Sequence, residues 1–399
     1  MNLGLNNNMF EIPEALSIFV NQIVYNKKSN NEKVYTYSLG EAFFKIPQFD
    51  IPKTMFEQGY HYSSSQGLLS LRKKISGLYQ SKYNTATDYE SEILISAGSK
   101  IIIFMIFQAI LNQGDEVLVP EPAWLSYKEQ IKLVGGKHIA VPYTKKVGEW
   151  KDYITSRTKA IVINNPNNPT GQLYSREELN YLLKLAQEYN LFILSDEAYS
   201  DFLTSNNNFV SFAEIDKEKK HCIIVNSMSK NMGLSGWRVG YTIAHKSIIE
   251  QLLKLNQHLI TCAATILQDY IATYFDDILN ITLPLAEKTA QKRLAVQKIL
   301  DSLGIKSLKG IGTFYFLLDV SDFKGTTEEL VYDLLLNHNI ATVPGNAYGD
   351  STKDFIRFGI GVENLDDTKK SLSIIKEFLE RSEYDNTKIT KQMKNEGII

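Results

Sequence analysis

The stretch of residues 226–241, NSMSKNMGLSGWRVGY, places one lysine among small residues and an arginine eight positions after it. Serines and glycines flank Lys230, and small side chains let a backbone approach a bound ligand closely. A partly desolvated lysine amine can condense with an aldehyde, and the planar guanidinium of Arg238 suits a phosphate. The stretch therefore predicts a site for a phosphorylated carbonyl compound.

Two more segments place small or polar residues at the end of an apolar run. In ISAGSKIIIF, residues 95–104, Gly98 and Ser99 lead directly into an apolar helix, whose free backbone N–H groups could bind a phosphate. In INNPNNPTG, residues 163–171, the prolines favour an extended loop that presents an asparagine at the edge of a sheet. Either segment alone is also compatible with an ordinary turn.

A fourth segment, ILSDEAYSDF at residues 193–202, ends an apolar run with Asp196 and has Tyr199 three positions later. A buried carboxylate needs a cationic or N–H partner, and no lysine or arginine stands nearby in the sequence. A ligand nitrogen is the expected partner, and an N-cap role for Asp196 is the alternative. Together the four segments fit pyridoxal 5′-phosphate, which has a phosphate, an aldehyde for a lysine and a ring nitrogen for a carboxylate. No metal site is predicted.

Seven short apolar runs, most of them separated by helical segments, predict the elements that position these residues. Continuously apolar strands alternating with helices are typical of a mostly parallel sheet that is covered on both faces. In such a sheet, ligands bind beyond the carboxyl ends of the strands, where the four segments lie. The strands are predicted at residues 93–96, 116–119, 138–141, 160–164, 192–195, 222–225 and 239–243, and one of the helices at 175–189.

Beyond about residue 248 the pattern changes to longer helices at 249–274 and 285–303, strands at 313–319 and 355–359, and a last helix at 365–381. We therefore expect an α/β fold with a three-layer large domain, built on a mostly parallel seven-stranded sheet, and a smaller α+β domain. The predicted divisions are an N-terminal arm that is partly in the small domain (1–45), the large cofactor-binding domain (46–285), the C-terminal small domain (286–381) and a polar tail (382–399). We expect the tail to be frayed or to form an exposed helix.

The composition argues against several classes of protein. With 44% hydrophobic residues among 399, the chain can bury a large core, and its net charge of −2 argues against nucleic-acid and anionic-membrane partners. Cys222 and Cys262 lack metal-ligand spacing and suit a reduced compartment. The N-terminus lacks signal-peptide features, and the longest apolar run is too short to span a bilayer, so a soluble cytoplasmic protein is expected.

From about Phe10 to Arg381 the sequence resembles the class I/II aminotransferases, pyridoxal-phosphate enzymes of fold type I, and in particular the branch with aspartate and prephenate aminotransferases. The four segments carry the resemblance, in the family's order and spacing. It implies that Lys230 forms the Schiff base with the cofactor and moves the substrate's Cα proton, and that Asp196 keeps the ring nitrogen protonated. It also implies ping-pong transfer of an L-amino acid's amino group to a 2-oxo acid, with 2-oxoglutarate expected.

The resemblance also implies the remaining cofactor contacts. Tyr199 and Asn168 match the pair that hydrogen-bonds the phenolic oxygen of the ring. Trp124, in EPAWLSY, matches the aromatic residue that stacks on the ring face. The residues that match the phosphate site are Gly98, Ser99, Ser227 and Arg238, with Lys100 directly after its loop.

Further matches concern the partner subunit and the substrate. Tyr62, in YHYSSSQG, matches a tyrosine that reaches the phosphate of the neighbouring subunit, which implies a homodimer with the active site at its interface. Arg357, in FIRFGIG, matches the arginine that binds the substrate's α-carboxylate. Gly40 matches a backbone donor to that carboxylate, to which Asn168 also contributes. Residues 343–349, VPGNAYG, resemble a small-domain loop that moves over the substrate.

The identity of the amino donor stays open. In the aspartate/prephenate branch a lysine at the position of Lys100 helps to bind an acidic side chain. That branch also has hydroxyl residues near the N-terminus, where this chain has Glu14 and Leu16. A carboxylate close to the side-chain pocket disfavours an acidic substrate and favours a basic one, unless Lys100 and Glu14 pair with each other.

Two other functions are compatible with parts of the pattern. A lyase, decarboxylase or cyclising enzyme of the same fold would use the same Lys230 and Asp196, and transfer of the amino group to 2-oxoglutarate distinguishes it from a transaminase. A non-catalytic domain that senses the cofactor, of the kind fused to winged-helix regulators, is disfavoured because only residues 1–9 precede the match. A nicotinamide dehydrogenase is disfavoured because no strand is followed by G-x-G-x-x-G.

Overall fold

A computed structural model describes residues 9–10, 12–396 and 398. Its strands are β1 Tyr35–Thr36, β2 Ile93–Ser96, β3 Glu116–Pro120, β4 Lys137–Val141, β5 Thr158–Asn164, β6 Phe192–Asp196, β7 Cys222–Ser227, β8 Gly240–Ile243, β9 Tyr315–Asp319, β10 Ile340–Ala341, β11 Val343–Pro344 and β12 Phe355–Gly359. Its α-helices are α1 Leu16–Ser29, α2 Lys53–Gln58, α3 Leu69–Tyr83, α4 Ser99–Ile110, α5 Ser126–Leu133, α6 Arg176–Tyr189, α7 Phe212–Ile215, α8 Lys246–Leu259, α9 Thr265–Thr273, α10 Phe275–Leu303, α11 Thr327–His338, α12 Leu365–Glu380 and α13 Thr387–Asn395.

The central sheet has seven strands in the order β2-β8-β7-β6-β5-β3-β4. Strands β3 to β7 pair in parallel, whereas β8 runs antiparallel to both β7 and β2. A parallel crossover needs a long connection, usually an α-helix, but the segment between β7 and β8 contains only the 3₁₀ turn Ser235–Trp237. This short connection explains why β8 turns back. The predicted mostly parallel, seven-stranded sheet is confirmed.

Both faces of the sheet are covered, which gives three layers. Ile193 packs into a core with α3, α6 and α9, and its neighbour Leu194 packs into a core with α4, α5 and α8 on the other face. Successive strand residues point to opposite faces, so a strand that is buried on both sides must be apolar throughout. The continuous apolar runs in the sequence have this physical cause.

A second sheet and its helices form the α+β part of the molecule. Strands β11, β12 and β9 are antiparallel, and the short parallel pair β1–β10 joins residues 35–36 to residues 340–341. Helix α10 spans both parts: Ile278 packs in a core with the central sheet, and Val296 packs in a core with β9 and β12. The predicted boundary after residue 285 lies inside α10, and the domain limits stay predictions.

Two local predictions were wrong. Residues 249–274 do not form one helix, because the chain breaks between α8 and α9 and Thr261 has a φ of +74°. The tail is not exposed: Ile389 and Met393 of α13 are buried in a small core with α1 and α11. These two residues are one helical turn apart and therefore lie on the same face of α13. That spacing is present in the sequence and was overlooked.

Candidate active site

The candidate site is a cavity of about 220 Å³ at the carboxyl ends of β5, β6 and β7, next to the start of α4. Because these strand ends share one edge of the sheet, residues far apart in the sequence meet there. Predicted residues that line the cavity are Ser99, Lys100, Trp124, Asn168, Asp196, Tyr199, Ser227, Lys230 and Arg238. Residues that line it without having been predicted are Asn164, Ala198, Ser229 and Ser235.

One end of the cavity has the geometry of an anion site. Gly98 precedes α4 with a φ of +92°, and a Cβ at this position would lie 2.5 Å from Nη2 of Arg238. Arg238 itself has a φ of +53°, and its Nη1 donates to Oγ of Ser229 (3.2 Å) and to the carbonyl of Ser235 (2.8 Å). The guanidinium therefore lies directly against the glycine that opens α4. A helix N-terminus beside an arginine is suited to a phosphate.

Asp196 lies at the end of β6 and is buried. Its carboxylate accepts a hydrogen bond from the hydroxyl of Tyr127 (2.6 Å) and one from the backbone N–H of Ala198 (3.2 Å). Burial raises the pKa of Asp196, and no residue in the described ranges forms an ion pair with it. A cationic N–H group in the cavity would supply the partner that this carboxylate lacks.

Lys230 is partly buried and lines the same cavity. Burial lowers its pKa to about 8, and the positive charge of Arg357 adds to the effect. Its Nζ donates to the carbonyl of Gly40 and lies 5.5 Å from the centre of the Tyr199 ring. Gly40 is thus beside the cavity, although it is not among the lining residues.

A chain of hydrogen bonds crosses the site from Tyr199 to Arg357. The Tyr199 hydroxyl accepts from Nδ2 of Asn168 (3.4 Å) and lies 3.1 Å from the hydroxyl of Tyr315. Arg357 donates from Nη1 to Oδ1 of Asn168 (3.4 Å) and from Nη2 to the carbonyl of Ser38 (2.6 Å). Asn168 therefore connects Tyr199 with Arg357.

Arg357 is buried between two aromatic rings. Its guanidinium carbon lies 4.5 Å from the ring centre of Tyr315 and 5.2 Å from that of Tyr348. Its Nε has no hydrogen-bond partner in the part of the chain that the structure describes. Arg357 is not a lining residue of the cavity, but it lies behind Asn168 with an unused donor. A carboxylate is the ligand that such a group binds best.

Other predicted residues are not brought into the cavity. Tyr62 is 86% exposed and lines neither this cavity nor the one beside it. Glu14 and Leu16 line a neighbouring cavity. The suggested ion pair between Lys100 and Glu14 is wrong, since the ion pairs among the described residues do not include one between these two side chains. Burial lowers the pKa of Lys100, and the charge of Arg238 lowers it further.

Besides those four lining residues, two tyrosines that support the site, Tyr127 and Tyr315, were not predicted from the sequence. Tyr127 stands in the quoted segment EPAWLSY, but its contact with Asp196 spans 69 positions. The contact between Tyr315 and Tyr199 spans 116 positions. A local motif carries no signal for such contacts. Within the described ranges, no helix is long and apolar enough to cross a membrane, and no group of His, Cys, Asp and Glu side chains could hold a metal ion.

Comparison with known proteins identifies the family. A model of the family described as "Aminotransferase class I and II" matches residues 43–368. An aspartate aminotransferase of Bacillus sp. (strain YM-2) is 33% identical over 372 residues, which cover 89% of this chain and 92% of the relative. The (5-formylfuran-3-yl)methyl phosphate transaminase of Methanocaldococcus jannaschii is 31% identical over 387 residues, which cover 94% of this chain and 98% of the relative.

Solved structures agree with the sequence relatives. The aspartate aminotransferase of Thermus thermophilus with maleate superposes with a TM-score of 0.82 at 26% identity, and the match covers 93% of this chain and 99% of that one. These matches extend over both sheets, and the chain belongs to the class I and II aminotransferases, pyridoxal-phosphate-dependent transferases of fold type I.

Proposed function

We propose that this aminotransferase moves the amino group of an L-amino acid to a 2-oxo acid, with 2-oxoglutarate as the acceptor, in two half-reactions of a ping-pong cycle. The observation that carries the proposal is the arrangement in one cavity of an unpaired buried carboxylate, Asp196, a lysine of lowered pKa, Lys230, and an anion site at Arg238. These three features fit the ring nitrogen, the aldehyde and the phosphate of pyridoxal 5′-phosphate.

The residues that would hold the cofactor fall into three groups. Ser99, Ser227 and Arg238 would bind the phosphate, with the N-terminus of α4 and with Lys100 nearby. Trp124 would cover one face of the ring, and Asp196 would pair with its nitrogen. Asn168 and Tyr199 would donate to its phenolic oxygen, because the hydroxyl and the amide lie together in the cavity.

When bound, the cofactor supplies an electron sink for the carbanion that forms when the substrate loses its Cα proton. Lys230 moves that proton. A pKa of about 8 leaves both the neutral and the protonated amine populated near neutral pH, as a group that takes and returns a proton requires. Asp196 would pair its charge with the ring nitrogen, and the Tyr127 hydroxyl holds the carboxylate in position.

The substrate would be held by its α-carboxylate. Arg357 offers the unused Nε donor, and its contacts with Asn168 and Ser38 fix the plane of the guanidinium. A substrate whose α-carboxylate is held in this way would present its Cα proton to Lys230. Such fixed orientation lowers the entropic part of the activation barrier. Tyr62 is exposed and does not line the cavity of its own chain, and we propose that it contacts the phosphate bound by a second copy. We accordingly propose a homodimer.

The test is a transfer assay with purified protein, pyridoxal phosphate, single L-amino acids and 2-oxoglutarate. We expect glutamate to form in proportion to an oxo acid made from the donor. Lys230→Ala should abolish the transfer, while Lys184→Ala, which changes an exposed lysine of α6, should keep it. Release of ammonia or carbon dioxide without dependence on 2-oxoglutarate would instead indicate a lyase or decarboxylase.

A further inference from the structure

A second cavity, of about 350 Å³, adjoins the candidate active site. It lies between the N-terminal segment 12–16, the start of α5 and the segment 346–350. Trp124 lines both cavities and is therefore a wall that they share. Tyr348 lines the second cavity and also contacts Arg357, whose guanidinium carbon is 5.2 Å from its ring centre. The second cavity thus begins where the α-carboxylate of the substrate would bind.

Three buried residues of this cavity have unused hydrogen-bonding capacity. The Tyr348 hydroxyl and Oε1 of Gln130 have no hydrogen-bond partner among the described residues. Glu121 is only 9% exposed, and its Oε2 accepts from the backbone N–H (3.3 Å) and the hydroxyl (3.1 Å) of Ser351. No cation of the described chain pairs with Glu121. Buried polar groups without partners are costly, so a ligand that donates hydrogen bonds would relieve them.

The unused groups of Gln130 and Glu121 favour a ligand that donates hydrogen bonds. The carbonyl oxygen of Gln130 and the carboxylate of Glu121 can only accept, and the amide nitrogen of Gln130 already donates to the carbonyl of Lys100 (2.9 Å). An ammonium group has three donors and no acceptor. It matches these two acceptors, whereas a carboxylate would be repelled by the negative charge of Glu121.

The net charge of the residues that line the second cavity also favours a cationic ligand. Burial lowers the pKa of His138 to about 4, so its ring is neutral at pH 7. The charged residues that line the cavity are then one exposed cation, Lys128, and four carboxylates. The carboxylates are Glu14, Glu121, Glu129 and Asp350.

We propose that this cavity, lined by Glu121, Gln130 and Tyr348, is a subsite for the distal end of the amino donor's side chain, and that the preferred donor is a 2-amino acid whose side chain ends in an amine. The inference rests on the proposed transaminase function. The substrate's α-carboxylate on Arg357 and its side chain along Tyr348 would place the terminal ammonium near Glu121. Lys100 approaches the shared wall, because its Nζ lies 5.2 Å from the ring centre of Trp124, but it does not line the second cavity.

The test compares L-lysine with L-norleucine, which has the same carbon chain without the terminal amine, and with L-glutamate. We expect kcat/KM for lysine to exceed that for norleucine about tenfold or more, the size of one charge-assisted hydrogen bond. Glu121→Gln should reduce that ratio about tenfold. Glu177→Gln, which changes an exposed acid in the first turn of α6, should leave the ratio unchanged.

A binding measurement distinguishes failure of the amine subsite from failure of the proposed transaminase function. Calorimetry should show that 6-aminohexanoate binds the protein about tenfold or more tightly than hexanoate, and neither compound has an α-amino group to transfer. Equal binding of the two compounds, or a preference for glutamate that Glu121→Gln does not alter, would overturn the subsite while leaving the transaminase intact. Selective binding of 6-aminohexanoate without transfer from any amino acid would overturn the transaminase instead.

Discussion

The hydroxyl of Tyr127 donates a 2.6 Å hydrogen bond to the carboxylate of Asp196, and this bond is the main support that the described chain gives to that buried charge. Burial raises the pKa of Asp196, and the Tyr127 hydroxyl opposes the rise. The two residues come from α5 and from the end of β6. The anionic form of Asp196 therefore depends on a residue that lies outside the motif in which Asp196 stands.

Tyr127→Phe should narrow the pH range in which the protein binds pyridoxal phosphate. Without the hydroxyl the pKa of Asp196 rises further, so the ionised carboxylate is lost at a higher pH and the acid limb of binding moves to higher pH. The measurement is cofactor affinity against pH for the cofactor-free protein. Tyr189→Phe, at the exposed end of α6, serves as control. An acid limb that does not move would remove Tyr127 from this role.

Lys230 should react as an unusually nucleophilic amine in the cofactor-free protein. An amine is nucleophilic only when it is neutral, and lowering the pKa from 10.5 to about 8 makes the neutral form abundant above pH 8. Mapping of acylated peptides across pH should give a midpoint near 8 for Lys230. Arg357→Ala should raise the midpoint, because the charge of Arg357 contributes to the lowered pKa. A midpoint for Lys230 at the ordinary lysine value of 10.5 would contradict the expectation.

Gly98→Ala should weaken phosphate binding and lower stability together. The new Cβ would lie 2.5 Å from Nη2 of Arg238, and the backbone φ of +92° disfavours any residue with a side chain. We expect a loss of about 1–3 kcal/mol in the free energy of unfolding and a lower affinity for pyridoxal phosphate. Gly77→Ala in α3, where a Cβ meets nothing within 4 Å, should instead stabilise by about 0.5–1 kcal/mol. Denaturant titration and cofactor titration of both variants check this.

Ile389→Ala should destabilise the protein through the C-terminal helix. Ile389 is buried against α1 and α11, and removing its side chain leaves a cavity that costs about 2–4 kcal/mol. The exposed Lys391→Ala on the same helix should change the free energy of unfolding by less than about 0.5 kcal/mol. Equal unfolding midpoints for the two variants would mean that α13 adds nothing to the fold.

The central sheet could be predicted because its strands are buried on both faces and are apolar throughout. The strand at Ile93–Ser96 was predicted with its observed limits for this reason. The two-residue strands β1, β10 and β11 are too short to have a periodicity, and they were missed. The break between α8 and α9 is marked by neither Gly nor Pro, so the pattern read as one helix.

The residues of the candidate site that stand in a segment at the end of a strand could be predicted from the sequence. Lys230, Asp196 and Arg238 each stand in such a segment, and the sheet brings them to one cavity. The supports Tyr127 and Tyr315 could not be predicted, because each acts on a partner that only the folded chain brings near. The second cavity could be predicted only in fragments, from Glu14, Leu16, Trp124 and the loop 343–349, because its walls come from three separate parts of the chain.

The role of Lys230 can be tested by borohydride reduction of the protein with pyridoxal phosphate, followed by peptide mapping. Reduction fixes the cofactor to the amine that holds it. We expect a phosphopyridoxyl group on Lys230, and loss of that label when an amino donor is added before the borohydride. A label on any other lysine, or no label at all, would contradict the assignment of Lys230 and the mechanism that depends on it.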